Sequence, residues 1–363
     1  MHVRGTIRTF LFYDVGEAFD LEKLRGLVGS PAWPSKPEFP RRTPDNVRFE
    51  NAPITGPSEP LTLHTGEKVI CSIKYYEYAI VEVQFEVPFE GTWDELLQQG
   101  SRWMDAADID PEGRAVVSKR LQKIGPTVIK PRSDWLQENY LVFALHEITG
   151  DGGTPLTADD LVSACGDKIS QLIRGEQNRL SQGTRERVLQ GNLSYYPTDL
   201  LVVGPTAALI YDRPEESIWT IQVLGYAKMQ LLEFRYYDNF MTRVLSDVYN
   251  TLDIKRNVLF SRWTLPREAN RLNAIRLDVM ELTERIDNAI KFVSEAYYAL
   301  AYRLAASRVG VPEYRDLVEK KLNTARELYQ FIMDQFNEAR LFVLEAAITV
   351  LCLLDVLLLF RGR

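Results

Sequence analysis

The twenty residues between Arg340 and Arg361, LFVLEAAITVLCLLDVLLLF, constrain this chain more than any other stretch. As a helix rising about 1.5 Å per residue they span about 30 Å, the thickness of a bilayer's hydrocarbon core. Fourteen of them are strongly apolar. At roughly −0.3 to −0.6 kcal/mol each they outweigh two carboxylates costing at most about +2.5 to +3.5 kcal/mol apiece. Those acids, Glu345 and Asp355, sit about five residues from either end, where the cost is lower. The expectation is one transmembrane helix over 341–360, acting as a tail anchor with membrane lipid as its partner. Arg340 and Arg361 flank it. The competing expectation is a buried core helix. The opening MHVRGTIRTFLFY alternates like a strand and has no apolar signal-peptide region, so attachment is expected from the C-terminal end.

The apolar repeat begins well before this segment. Val318, Ala325, Ile332, Ala339, Ala346 and Leu353 recur every seven residues, interleaved with Leu322, Tyr329, Phe336, Val343, Val350 and Leu357. One helix from about 312 to 360 accounts for both rows. A second pair of rows runs through Leu272, Val279, Ile286, Val293 and Leu300 and, beside them, Ile275, Leu282, Ala289 and Ala296. Between them, Gly310 suits a helix end and Pro312 a helix start, which predicts a long antiparallel helical hairpin over 215–340. Trp263, with Arg262 and Arg267 at the start of the first arm, suits an interfacial anchor.

Residues 1–214 show one pattern twice. A strand (4–13), a helix (20–28), two strands (67–76, 78–88) and a helix (92–106) are followed by a strand (138–148), a helix (158–174), two strands (193–203, 206–213) and a long helix from 215. The expected fold class is α+β, with tandem ferredoxin-like βαββα halves before the hairpin and the transmembrane helix. Residues 30–61 form a Pro-rich insertion, with Pro31, Pro34, Pro37 and Pro40 at the period of a polyproline II helix.

Chemistry-bearing motifs are scarce. Three scattered cysteines and three isolated histidines give no metal set or disulfide framework. Asp108-Ile-Asp110-Pro-Glu112-Gly113 opens like a calcium loop but has Lys119 where the twelfth-position glutamate belongs, and reads as a polar turn between helices. Gly150-Asp151-Gly152-Gly153 lacks the Lys-Ser/Thr of a phosphate loop. No catalytic residue, cofactor or metal is expected. A net charge of −7 argues against wholesale nucleic-acid binding. Against it stands one basic run, Arg114, Lys119, Arg120, Lys123, Lys130 and Arg132, which could meet anionic lipid or RNA on a ribosome-sized assembly, or simply be solvated.

Leu344-Glu345, an apolar run and Asp355-Val356 resemble the terminal signature of the family containing the "required for meiotic nuclear division" proteins. The hairpin and the Gly225-Tyr-Ala-Lys-Met stretch are similar too. That resemblance implies an oligomeric, membrane-anchored protein without established catalysis, in the bacterial inner membrane with the large domain cytoplasmic, or in the mitochondrial inner membrane facing the matrix. Magnesium transporters of the CorA type share the general layout but need two spans and a Gly-Met-Asn loop, which this chain lacks. The leading expectation is a membrane-anchored, self-associating scaffold. The alternatives are a channel subunit using Glu345 and Asp355, or an enzyme with a site between the two halves.

Overall fold

The computed structural model describes residues 1–29, 53–104, 106–149, 156–254, 277 and 296–361. The chain divides into two compact units, Met1–Tyr236 with Glu284–Tyr314, and Tyr237–Thr283 with Arg315–Arg363.

In the first unit the long alternating segments pair into one mixed sheet. Its strands are β1 (His2–Asp14), β3 (Ile54–Thr55), β4 (Glu59–Thr62), β5 (Lys68–Tyr76), β6 (Ile80–Thr92), β8 (Leu136–Thr149), β9 (Asn192–Leu193), β10 (Leu200–Val203) and β11 (Ala207–Tyr211). Their order is β3-β5-β6-β1-β8-β11-β10-β9, with β4 also paired to β5. Two short strands, β2 (Ala18–Phe19) and β7 (Val128–Ile129), form a separate ribbon.

Strand alternation gives the sheet two different faces. Val3, Ile7, Leu11 and Tyr13 of β1 join Val83, Phe85, Leu141 and Phe143 in the main core. Trp93, Leu96 and Trp103 of α2 (Trp93–Met104) close over that core. So do Val117 of α3 (Ala106–Ile124) and Leu161, Ile169 and Leu172 of α4 (Ala158–Arg174). Helix α1 (Leu21–Val28) adds Leu24, and α5 (Gln182–Leu189) adds Leu189. The even residues Phe10, Phe12 and Asp14 point to the other face, under α6 (Pro214–Ile254). Helix α7 (Ala296–Val309) packs on β10.

In the second unit, the later part of α6 lies beside α8 (Val311–Arg361). Lys321 Nζ donates to Asp238 Oδ1 (2.5 Å) and Thr242 Oγ1 (2.7 Å), while Met241, Val244, Val318 and Ala325 are buried.

Three expectations need correction. The tandem ferredoxin-like reading fails in the second half, because β8 pairs with β11 directly and in parallel. The first half keeps the split βαβ arrangement, with β6 lying between β1 and β5 and antiparallel to both. The transmembrane helix and tail anchor fail because, among the described residues, no helix is long and apolar enough to cross a membrane. The stretch 337–354 of α8 holds Glu338, Arg340 and Glu345, three charges within five turns. The inner-membrane location, bacterial or mitochondrial, rested on that helix and falls with it. The proline repeat at 31–40, the Gly150–Gly153 turn, Trp263 and most of the first hairpin arm lie outside the described residues.

Candidate functional site

Charge concentrates where the sheet meets α6. The antiparallel registers set Phe12 opposite both Glu82 and Glu138, and Glu82 opposite Lys74. One cross-strand row therefore reads Lys74, Glu82, Phe12, Glu138 over four neighbouring strands. Asp14 follows two residues along β1. Asp14, Glu82 and Glu138 are all buried.

Each acid is answered. Glu82 accepts a hydrogen bond from Tyr76 Oη (2.5 Å) and forms an ion pair with Lys74 Nζ (3.0 Å). Glu138 pairs with Lys228 Nζ (2.5 Å) and with the Arg235 guanidinium, both on α6. Asp14 pairs with Arg132, whose guanidinium stacks 3.6 Å from the centroid of the Tyr236 ring. Such charge-assisted bonds are stronger than neutral ones, and losing one partner leaves an expensive buried charge. Helix α6 passes close to this row at Gly225, where a side chain as small as a methyl group would make ordinary van der Waals contact. A Cβ there would lie 3.7 Å from Glu82 Oε2 and 3.8 Å from Phe12.

Burial sets the protonation of the groups on α6. It pushes the Lys228 ammonium down to about 8. It pushes the Glu233 carboxyl up to about 7, with the Arg132 charge pulling the other way. The Tyr76 hydroxyl is driven well above its ordinary value, by burial first and the Glu82 charge second. Further along, Tyr302 Oη of α7 donates to Gln230 Oε1, tying a second helix to α6. The arrangement neutralises charge and fixes the seating of a helix on a sheet.

Sequence reasoning passed over this cluster. Lys228 and Glu233 stand inside GYAKMQLLEF, a helical stretch apolar on every side, and that embedding was the available signal.

The residues singled out from sequence are scattered. In the basic run, Arg114 pairs with Asp110 (2.8 Å), Arg120 with Glu59 (2.9 Å), Lys130 with Glu17 (2.5 Å) and Arg132 with Asp14. Lys119 and Lys123 are exposed on α3. The calcium-like stretch is not an inter-helix turn but the start of α3, where Asp110 accepts from Tyr13 Oη (2.9 Å) and Glu112 from the His64 backbone N–H (2.7 Å). Among the described residues no group of His, Cys, Asp and Glu could hold a metal ion. Arg340, Glu345, Asp355 and Arg361 all fall within α8, and of these the Glu345 side chain is described, as exposed. A pocket of ≈ 150 Å³ lies over the buried Leu63, Trp103 and Ile109. The charges at its edge are already paired, Arg102 with Glu67 (3.0 Å) and His64 with Glu112 (2.8 Å).

Residues 4–217 match the family described as "Uncharacterized protein MJ0711, N-terminal domain". The chain belongs to this family. It is similar to the Methanocaldococcus jannaschii protein "Uncharacterized protein MJ0711", at 20% identity over 229 residues, covering 63% of this chain and 68% of that one. No solved structure matches the chain significantly. The MJ0711 match takes in every strand of the sheet, and so the acids Asp14, Glu82 and Glu138. Their α6 partners Lys228 and Arg235 lie past its end, as does all of α8. The resemblance read from Leu344-Glu345 and Asp355-Val356 likewise concerns residues beyond the MJ0711 match.

Proposed function

We propose that this chain is a self-associating scaffold without catalytic activity, assembled through the C-terminal part of α8. One observation carries the reading. Leu341, Leu344, Ile348, Val350, Leu351, Leu353 and Leu354 are each 50–63% exposed. Apolar side chains scattered singly need no partner, but seven within fourteen residues make a contiguous patch of the kind that marks an interface. Covering the exposed half of such a side chain contributes on the order of 1 kcal/mol.

A heptad-patterned helix finds its best complement in a copy of itself, whose knobs and holes have the same spacing. The sheet unit supports the reading from the other side. Among the described residues, Asp14, Glu82 and Glu138 are paired with bases, and the charged groups at the edge of its pocket are paired with one another. Sedimentation velocity of the full chain at micromolar concentration, without detergent, tests the proposal. The expected mass is a multiple of the chain mass, reduced by Leu344→Gln with Leu351→Gln. A strict monomer rules the reading out.

A further inference from the structure

Resting on that reading, the distribution of exposed apolar residues around α8 says how many copies assemble. At about 100° per residue, Leu341, Leu344, Ile348 and Leu351 fall within about 80° of arc. Val350, Leu353 and Leu354 fall within about 100° on another side, the two centres about 150° apart. Glu345 and Thr349 lie in the wider gap, about 120° between Leu341 and Leu353, and the Thr349 hydroxyl donates back to the Glu345 carbonyl (2.7 Å). The segment thus carries two apolar stripes rather than one.

A two-stranded coiled coil buries a single seam per helix. Pairing through either stripe would leave the other, with three or four large side chains, facing water. The length of the segment points the same way. The exposed stretch 341–354 covers two heptads, and a single seam is convincing as a coiled coil only over about three to four. Two seams on each helix double the apolar contact within the same length. A helix apolar on most of its circumference belongs inside a bundle.

We infer that α8 packs against two neighbouring copies at once, so that the assembly holds three or more chains, with Glu345 and Thr349 on the polar gap between the seams. The occupant of each stripe is the corresponding segment of another copy of this chain.

The test is the mass of the full-length chain in detergent-free buffer, by sedimentation equilibrium, for four proteins. These are the wild type, Leu344→Gln with Leu351→Gln, Leu353→Gln with Leu354→Gln, and the quadruple variant. The expected result is a discrete wild-type assembly of three or more chains, a dimer for each double variant, and a monomer for the quadruple variant. Far-UV circular dichroism should show unchanged helix content in all four. A wild-type dimer abolished by one double variant alone overturns the inference while leaving self-association intact. A wild-type monomer overturns both. A continuous spread of masses with no discrete species overturns the inference as well, because two specific seams close on a fixed number.

Discussion

Beneath α6, four acids (Asp14, Glu82, Glu138 and Glu233) and four bases (Lys74, Arg132, Lys228 and Arg235) are packed against the sheet, most of them well below the surface. Along residues 341–354 of α8 the reverse holds, with large aliphatic side chains more than half bare and Glu345 among them. Each region inverts the usual rule of apolar inside and charged outside, for opposite reasons. In the sheet unit the inversion is balanced within one chain, since Asp14, Glu82 and Glu138 each pair with a base. In the helical unit it is incomplete among the described residues, and the proposed neighbouring copies would finish it. Substitutions under α6 should therefore act on folding, and substitutions along α8 on assembly.

The largest effect belongs to Glu138. Removing it strands Lys228 and Arg235 against the sheet, and breaking a buried pair by deleting one partner costs about 3–5 kcal/mol. Glu138→Ala should lower the urea midpoint of the full chain accordingly, and adding Lys228→Met should recover a large part of the loss. A cost below about 1 kcal/mol would mean that the pairs are solvated and that the contrast between the regions is false.

Glu233 gives the next largest effect, through pH. Its folded pKa of about 7 lies above the ordinary glutamate value near 4.3. Between those values the folded chain holds a proton that the unfolded chain has released. Glu233 therefore favours the folded state at low pH, and that contribution is lost as pH rises through the window, by an amount on the order of 3 kcal/mol. Above pH 7 its contribution is flat. Glu233→Gln should remove this slope and raise stability at pH 8, as read from urea melts at pH 5, 6, 7 and 8. A slope unchanged in Glu233→Gln would assign it to another group.

A smaller effect is expected at Gly5, in the seam between the two halves. The register between β1 and β8 shifts at Arg4 and Gly5, and a Cβ on Gly5 would collide with the Ala144 carbonyl oxygen. Gly5→Ala should cost about 1–3 kcal/mol through overpacking. The same experiment bears on the enzyme alternative, because β1 and β8 are hydrogen-bonded along the whole of β1. A well-tolerated Gly5→Ala would show that the seam gives way more easily than its close contact implies.

Much of the sheet was legible in the sequence, but its wiring was not. The alternation at 4–13 and 138–148 marks strands that run from His2 to Asp14 and from Leu136 to Thr149. Alternation says which residues share a face and nothing about which strand lies next door. By alternation alone the two βαββα repeats look equivalent, although in the first β6 lies antiparallel between β1 and β5 and in the second β8 pairs with β11 in parallel. Helix α3 was hidden by Pro111 and by the oxygen-rich run from Asp108 to Glu112, both of which suggest a turn. The charge cluster was hidden because Asp14, Glu82 and Glu138 come from three separate strands, and only the registers through Phe12 bring them together.

The smallest expected effect separates real surface charge from the buried kind. Lys119 and Lys123 are exposed on α3, whereas Arg120 between them pairs with Glu59 at 2.9 Å. Changing both lysines to glutamate should alter stability by no more than about 0.5 kcal/mol and leave the assembled mass unchanged, because neither charge balances a buried partner. The readout that carries information is retention on heparin at low salt. Retention equal to wild type assigns the pair to a solvated face. Retention lost in Lys119→Glu with Lys123→Glu but kept in Arg120→Gln would make the two lysines an anion-binding edge of α3, since phosphate-like contacts come mainly from such unburied bases. The sheet unit would then present a functional charge outside as well as a balanced set within.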